Sequence, residues 1–189
     1  MEPRRMGRPR KFTREDVLAR ALPVFWERGF ADAAVHELEK ATGVNKSGLY
    51  SEFPSKEALF LACLRHYYEV RNGAAILAAE PLGWANIEAF LKAGLTCPGG
   101  SKGCFAINSM REFAILPAEA RQIVAENAGR LKGLLEFNVR AAGTKADPAA
   151  VAELISTFFS GICVEQNLEE PKARALRKID DLMALLRAD

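Results

Sequence analysis

An all-α fold is predicted by three features of this 189-residue chain. Apolar residues recur three and four apart through most of the sequence, helix-capping residues stand where those patterns begin, and no stretch alternates apolar and polar side chains as a half-buried strand does. With 49% apolar and 26% charged residues, the composition is that of a globular chain with enough length for a sizeable core. The longest apolar runs, AAILAA and FFSGICV, fall short of the roughly 18 residues of a membrane span. The basic N-terminus lacks the apolar segment of a signal peptide, and the four cysteines form no dense framework. A cytoplasmic protein with no membrane partner is therefore expected.

The net charge of +2 is unevenly spread. Residues 1–14 carry Arg4, Arg5, Arg8, Arg10, Lys11 and Arg14 against Glu2, a net +5, which leaves −3 on the remainder. Residues 1–11 thus form a basic arm. Its Gly7-Arg8-Pro9-Arg10 segment is extended, because proline fixes its own φ and biases its predecessor away from helix. Extended arginines suit the narrow, negative minor groove of A·T-rich DNA; a solubilising tail has the same composition.

The elements follow in order. Thr13 and Asp16 form a capping box, and Val17, Leu18, Ala21, Leu22, Phe25 and Trp26 make one broad apolar face. Pro23 is expected to kink this first helix and Gly29 to close it. A second helix over 33–42 is expected to turn Val35, Leu38 and Ala41 inward. Gly43 supplies the left-handed residue after it, Val44 pivots the turn, and Asn45 caps a short helix over 46–53. Ser55 caps a helix expected to continue to residue 79. Further helices are expected over 84–96, 104–114, 117–142, 148–167 and 172–187, with joints at Pro81-Leu82-Gly83, Pro98-Gly99-Gly100, Pro117, Gly143 to Pro148, and Pro171.

Helix, glycine-containing turn and short helix is the layout of a helix-turn-helix. Leu49 and Phe53 dock the short helix, which leaves Lys46, Ser47, Gly48, Tyr50 and Ser51 outward. Gly48 lets backbone approach a phosphate, Ser47 and Tyr50 can meet phosphate oxygens or base edges, and Lys56 lies beside exposed amides where anions bind. The expected DNA contacts are therefore Arg8, Arg10, Lys11, Lys46, Ser47, Gly48, Tyr50 and Lys56. A solvated face on a small helical adaptor is the competing reading.

The motif GF-x(4)-V-x(2)-L-x(2)-A-x-GV-x-KSGLYSEF-x-SKEALF resembles the DNA-binding domain of the TetR family of bacterial transcriptional regulators, over about residues 12–62. The resemblance implies an N-terminal three-helix helix-turn-helix domain, bounded here at 12–56, and a larger helical ligand-binding and dimerisation domain over 57–189. It implies a homodimer formed through the last two helices, about 148–187, that binds a pseudo-palindromic double-stranded operator, in keeping with a ligand-responsive repressor. Where many members have a threonine pair opening the second helix, this chain has Ala33 and Ala34. Asp32 is left as a possible cap.

For the effector, the residues offer several candidates. Cys97 and Cys104 flank a glycine-rich loop, and Cys104 opens a predicted helix near Lys102, where a thiolate is stabilised. Redox pairing of Cys97 with Cys104, or packing of Cys104 as a small core residue, both fit. His66, Tyr67, Cys104, Phe105, Asn108, Arg111 and Glu112 are candidate ligand-binding residues, with Trp84, Phe113 and Phe137 as further wall candidates. Cys63 and His66 share a helical face, but no third ligand stands at metal spacing, so no metal or cofactor is assigned. Without a Gly-rich phosphate loop, HExxH or GxSxG, no catalytic residue is assigned either.

Overall fold

The computed structural model describes residues 12–96, 102–168 and 172–188. The arm residues Arg8, Arg10 and Lys11, and Cys97, lie outside the described residues. Within them the chain forms ten α-helices and no strand: α1 (Arg14–Asp32), α2 (Val35–Thr42), α3 (Lys46–Glu52), α4 (Lys56–Val70), α5 (Gly73–Leu77), α6 (Trp84–Gly94), α7 (Phe105–Ser109), α8 (Ala118–Ala142), α9 (Pro148–Glu165) and α10 (Lys172–Arg187).

Side-chain caps open four of these helices. Thr13 accepts from the Asp16 amide while Asp16 accepts from that of Thr13, and these bonds hold the Asp16 carboxyl below its ordinary range. Asn45, Ser55 and Asp147 each cap the helix that follows. At four places the chain departs from the sequence expectation. Pro23 is accommodated within α1, and the non-helical residue is Gly29 (φ 80°, ψ 178°). Asp32 lies within α1 and caps nothing; Ala33 and Ala34 are extended, and the Ala34 amide donates to Glu37 at 3.1 Å. The helix expected over 55–79 breaks after Val70. There Arg71 turns to donate to the carbonyls of Thr96 (2.7 Å) and Ala93 (3.3 Å), and Gly73 allows Phe90 to approach its backbone. Similarly, the helix expected over 104–114 shortens to α7 followed by a 3₁₀ turn, Met110–Glu112.

Two apolar cores form. The first joins α1–α4 to Phe105, Ala106, Leu116 and the first turns of α8; the second joins α5, α6, the rest of α8, α9 and α10. The packing boundary therefore crosses α8 rather than falling at residue 56. Helix α10 packs chiefly on α6, and α9 on α8, rather than forming an isolated hairpin.

From Pro148 to Leu168 the chain is long and apolar enough to cross a membrane, with mean hydropathy 1.3 over 18 residues. Counting uninterrupted apolar runs misses this, because Glu153 and small residues break the segment. Its acids are paired, Glu153 with Lys132 of α8 at 2.8 Å and Glu165 with Lys178 of α10 at 2.6 Å.

Candidate nucleic-acid interface and adjoining cavity

The turn between α2 and α3 is pinned from inside. Gly43 takes the left-handed conformation (φ 71°) and its amide bonds Glu39. The Thr42 hydroxyl donates to Leu38 at 2.7 Å and accepts from the Val44 amide at 3.2 Å. Two side chains satisfy the opening amides of α3: Glu39 accepts from Lys46 at 2.5 Å and Asn45 from Gly48 at 2.9 Å. Leu49 and Phe53 are buried, and the Arg14 guanidinium lies 4.4 Å over the Phe53 ring while pairing with Glu52 at 2.8 Å.

This docking leaves Lys46 and Ser47 exposed and Tyr50 half-buried, with the Lys46 amine 5.8 Å above the Tyr50 ring. Ser51 is exposed, but its hydroxyl donates to Gly48 at 2.8 Å. Gly48 has a further role that the sequence did not disclose: a Cβ there would come within 2.7 Å of Val44 Cγ1. Lys56 is also engaged, donating to Ala31 at 3.2 Å and lying 4.9 Å over Phe30, so it ties the end of α1 to α4.

Beyond α4, a cavity of about 660 Å³ opens between the C-terminal ends of α4 and α6, helix α5, the middle of α8 and Phe159 of α9. Of the seven candidate ligand residues, Tyr67 and Cys104 line it; His66, Phe105, Asn108, Arg111 and Glu112 do not. Phe105 is core, stacked near Trp26, Phe60 and Tyr67. His66 is largely covered and faces Glu69 at 3.9 Å. Asn108 is held by the Lys102 carbonyl and Asn167. With Arg111 and Glu112 it borders a separate, smaller hollow beside α1. The other wall candidates miss the cavity too: Trp84 packs on the second core, Phe113 on the first, and Phe137 is exposed.

Glu112 has another occupation. Its two carboxylate oxygens accept from the amides of Phe30 (2.7 Å) and Ala31 (2.8 Å), which the break at Gly29 turns outward. Its partners lie 82 and 81 residues away, and no local pattern could have revealed the pairing.

At the cavity wall the Cys104 thiol and Tyr67 hydroxyl are 3.1 Å apart. Burial pushes the ionisation of the Tyr67 hydroxyl up, Cys104 adding to the effect, and burial does the same to Tyr68, so both phenols remain neutral. Cys63 is wholly buried, and desolvation raises its pKa. No group of three potential metal-ligating acids, cysteines and histidines forms among the described residues.

Comparison with known proteins agrees with this architecture. Residues 17–63 match the family profile described as bacterial regulatory proteins, tetR family. The HTH-type transcriptional repressor ComR of Escherichia coli (strain K12) is 31% identical over 109 residues, 54% of this chain and 52% of ComR, so the chain spans about half of that relative. The HTH-type transcriptional repressor BdcR of the same strain is 28% identical over 184 residues, covering 94% of this chain and 87% of BdcR. Among solved structures, a cysteine mutant of the TetR family regulator CifR with 26 bp operator DNA superposes with a TM-score of 0.77 at 24% identity, covering 94% of this chain and 98% of that one. The motif match over residues 17–63, the 28% identical relative along nearly the whole chain and the shared helical architecture together make this chain similar to the tetR family of bacterial regulatory proteins.

Proposed function

We propose that the chain is a cytoplasmic transcriptional repressor that binds a pseudo-palindromic operator as a homodimer and is released by a small-molecule or thiol-reactive effector. The observation that carries this reading is α3: a seven-residue helix, anchored by Leu49 and Phe53, that directs Lys46, Ser47 and Tyr50 away from the core. A helix so short is marginal alone, and its docking presents a surface shaped for a major groove. Arg8, Arg10 and Lys11 supply the basic arm, Gly48 permits the close approach, and Lys56 stands at the edge of the same face.

Release follows from connectivity. Helix α4 carries Lys56 at the DNA-binding end and Tyr67 at the cavity, separated by 11 residues or about 16 Å of helix. An occupant of the cavity that displaces α4, or an adduct on Cys104 beside Tyr67, changes the separation of two recognition helices that must fit one operator together.

Selection of bound sequences from random double-stranded DNA tests the reading. A recovered palindrome is expected, with Tyr50→Ala losing specific affinity while the protein stays folded and dimeric. A variant that retains wild-type affinity contradicts the role of Tyr50, and failure to enrich any sequence contradicts the repressor. Running the selection with and without a thiol oxidant separates the two classes of effector. Loss of the palindrome on oxidation, absent in Cys104→Ser, assigns the switch to that thiol.

A further inference from the structure

The proposed effector cavity has an asymmetric polar lining that points to a ligand class. Its walls are largely apolar, with Ile76, Phe90, Leu131 and Phe159 contributing, and no aspartate or glutamate among the described residues lines it. Two arginines do. Arg71 is occupied in bonding the last carbonyls near α6, at 2.7 and 3.3 Å. Arg130, on α8, makes no ion pair or hydrogen bond among the described residues and stands exposed at the cavity edge. The Tyr68 hydroxyl also lacks a hydrogen-bond partner among the described residues, although the side chain is mostly covered.

The opposite character belongs to the α6–α9 wall. Phe90 and Phe159 stack with centroids 4.8 Å apart and rings inclined by 36°. Phe159 lies directly on the α6 backbone because residue 94 is glycine: a Cβ there would come within 2.3 Å of Phe159 Cε2. Gly94 therefore sets the depth of the cavity. A larger residue displaces the Phe159 ring, and the open volume lies on the ring's free side.

We propose that this cavity takes an amphipathic organic anion, with a flat apolar body against Phe159 and Phe90 and its single acid group at Arg130, where Tyr68 can add a hydrogen bond. The volume of about 660 Å³ lies in the range of sites that enclose such molecules. A cationic ligand meets two arginines and no counter-charge in the lining, and a neutral one leaves Arg130 unused. The inference rests on the effector reading of the cavity above and adds the chemistry of the effector.

Isothermal titration of the full-length protein with three probes of one shape tests it: naphthalene-2-carboxylate, naphthalene-2-carboxamide and naphthalen-2-ylmethylammonium. The carboxylate is expected to bind at least about tenfold more tightly than the other two, the scale of one charge-assisted hydrogen bond. Arg130→Gln is expected to bring the carboxylate down to the level of the carboxamide. Gly94→Ala, shown to be folded by its cooperative thermal transition, is expected to weaken carboxylate and carboxamide alike. Equal or tighter binding of the carboxamide or ammonium probe overturns the anion assignment while leaving an effector cavity in place, as does a carboxylate preference that survives Arg130→Gln. Binding by none of the three, in protein that still retains its selected operator, overturns both the anion assignment and the cavity as effector site.

Discussion

Gly48 shows how much one missing side chain can settle. It sits in the face proposed above to meet DNA, yet the nearest consequence of adding a methyl group is internal: 2.7 Å to Val44 Cγ1 and 3.2 Å to the Asn45 oxygen that caps α3. Val44 is β-branched and stiff about χ1, so α3 must shift to make room. Gly48→Ala is expected to destabilise the chain by about 1–3 kcal/mol through overpacking. For a chain of this length that lowers the midpoint of thermal unfolding by about 2–4 °C per kcal/mol. Tyr50→Ala, half-buried and outside the core, is expected to leave the midpoint nearly unchanged while abolishing specific DNA binding. Scanning calorimetry on both variants makes the comparison, and a Gly48→Ala protein with the wild-type midpoint would show that the helix accommodates the methyl without moving. Lys56 belongs at this scale too: its bond to Ala31 gives it a structural duty beside any phosphate contact.

At the level of elements, the joint between α1–α3 and the rest of the chain passes through Glu112 as well as α4. The Gly29 break directs two amides at one carboxylate, and a Cβ on residue 29 would lie 2.7 Å from Glu112 Oε2. Removing the carboxylate leaves the part-buried Phe30 donor unpaired, at about 1–3 kcal/mol, while the exposed Ala31 amide can turn to water at a smaller cost. Glu112→Ala is therefore expected to lower the unfolding midpoint clearly. Glu112→Gln is expected to lose about half as much, since one amide keeps an acceptor and the other meets an N–H. Hydrogen exchange at Phe30 and Ala31 reads the same bonds directly, and unchanged protection in Glu112→Ala would rule the clasp out. Elements of this kind also mark where sequence reading stops. Thr13 with Asp16, Gly43, Asn45 and Ser55 act within four residues of themselves, and they were legible as caps and turns. Leu49 and Phe53, and with them the outward face of α3, were legible from spacing for the same reason. The break after Val70 was not, because the following GAAILAA keeps a high helix propensity. What stops the helix is Arg71 reaching carbonyls 22 and 25 residues away. Most of the cavity lining was missed with it, since Arg130, Gly94 and Phe159 acquire a role only when five helices meet.

For the whole molecule, the apolar surface that remains uncovered is the leading physical argument for a second copy. Only 28% of the most apolar window of the Pro148–Leu168 segment is buried within one chain. Leu154 is 65% exposed, Leu168 76% and, on α10, Leu185 73%, with Val164 also exposed. The inner residues Val151, Ile155, Ile162, Ile179 and Met183 already belong to the subunit core, so these outer positions form a distinct face. Gly161 lies on the exposed part of α9 with nothing near its Cβ position, so another helix can approach closely there. A two-fold axis through this face would join like surface to like, the symmetry that a palindrome requires. Leu154→Glu combined with Leu185→Glu places charge on that face without entering either core. The double variant is expected to sediment as a folded monomer with unchanged helix content in circular dichroism. Its affinity for the selected operator is expected to fall by at least about a hundredfold, because each half-site is then bound without the other's contribution. A variant that sediments as a dimer would move the interface elsewhere. A folded monomer with undiminished operator affinity would instead separate DNA binding from dimerisation and remove the basis of a release mechanism that acts through the distance between two recognition helices.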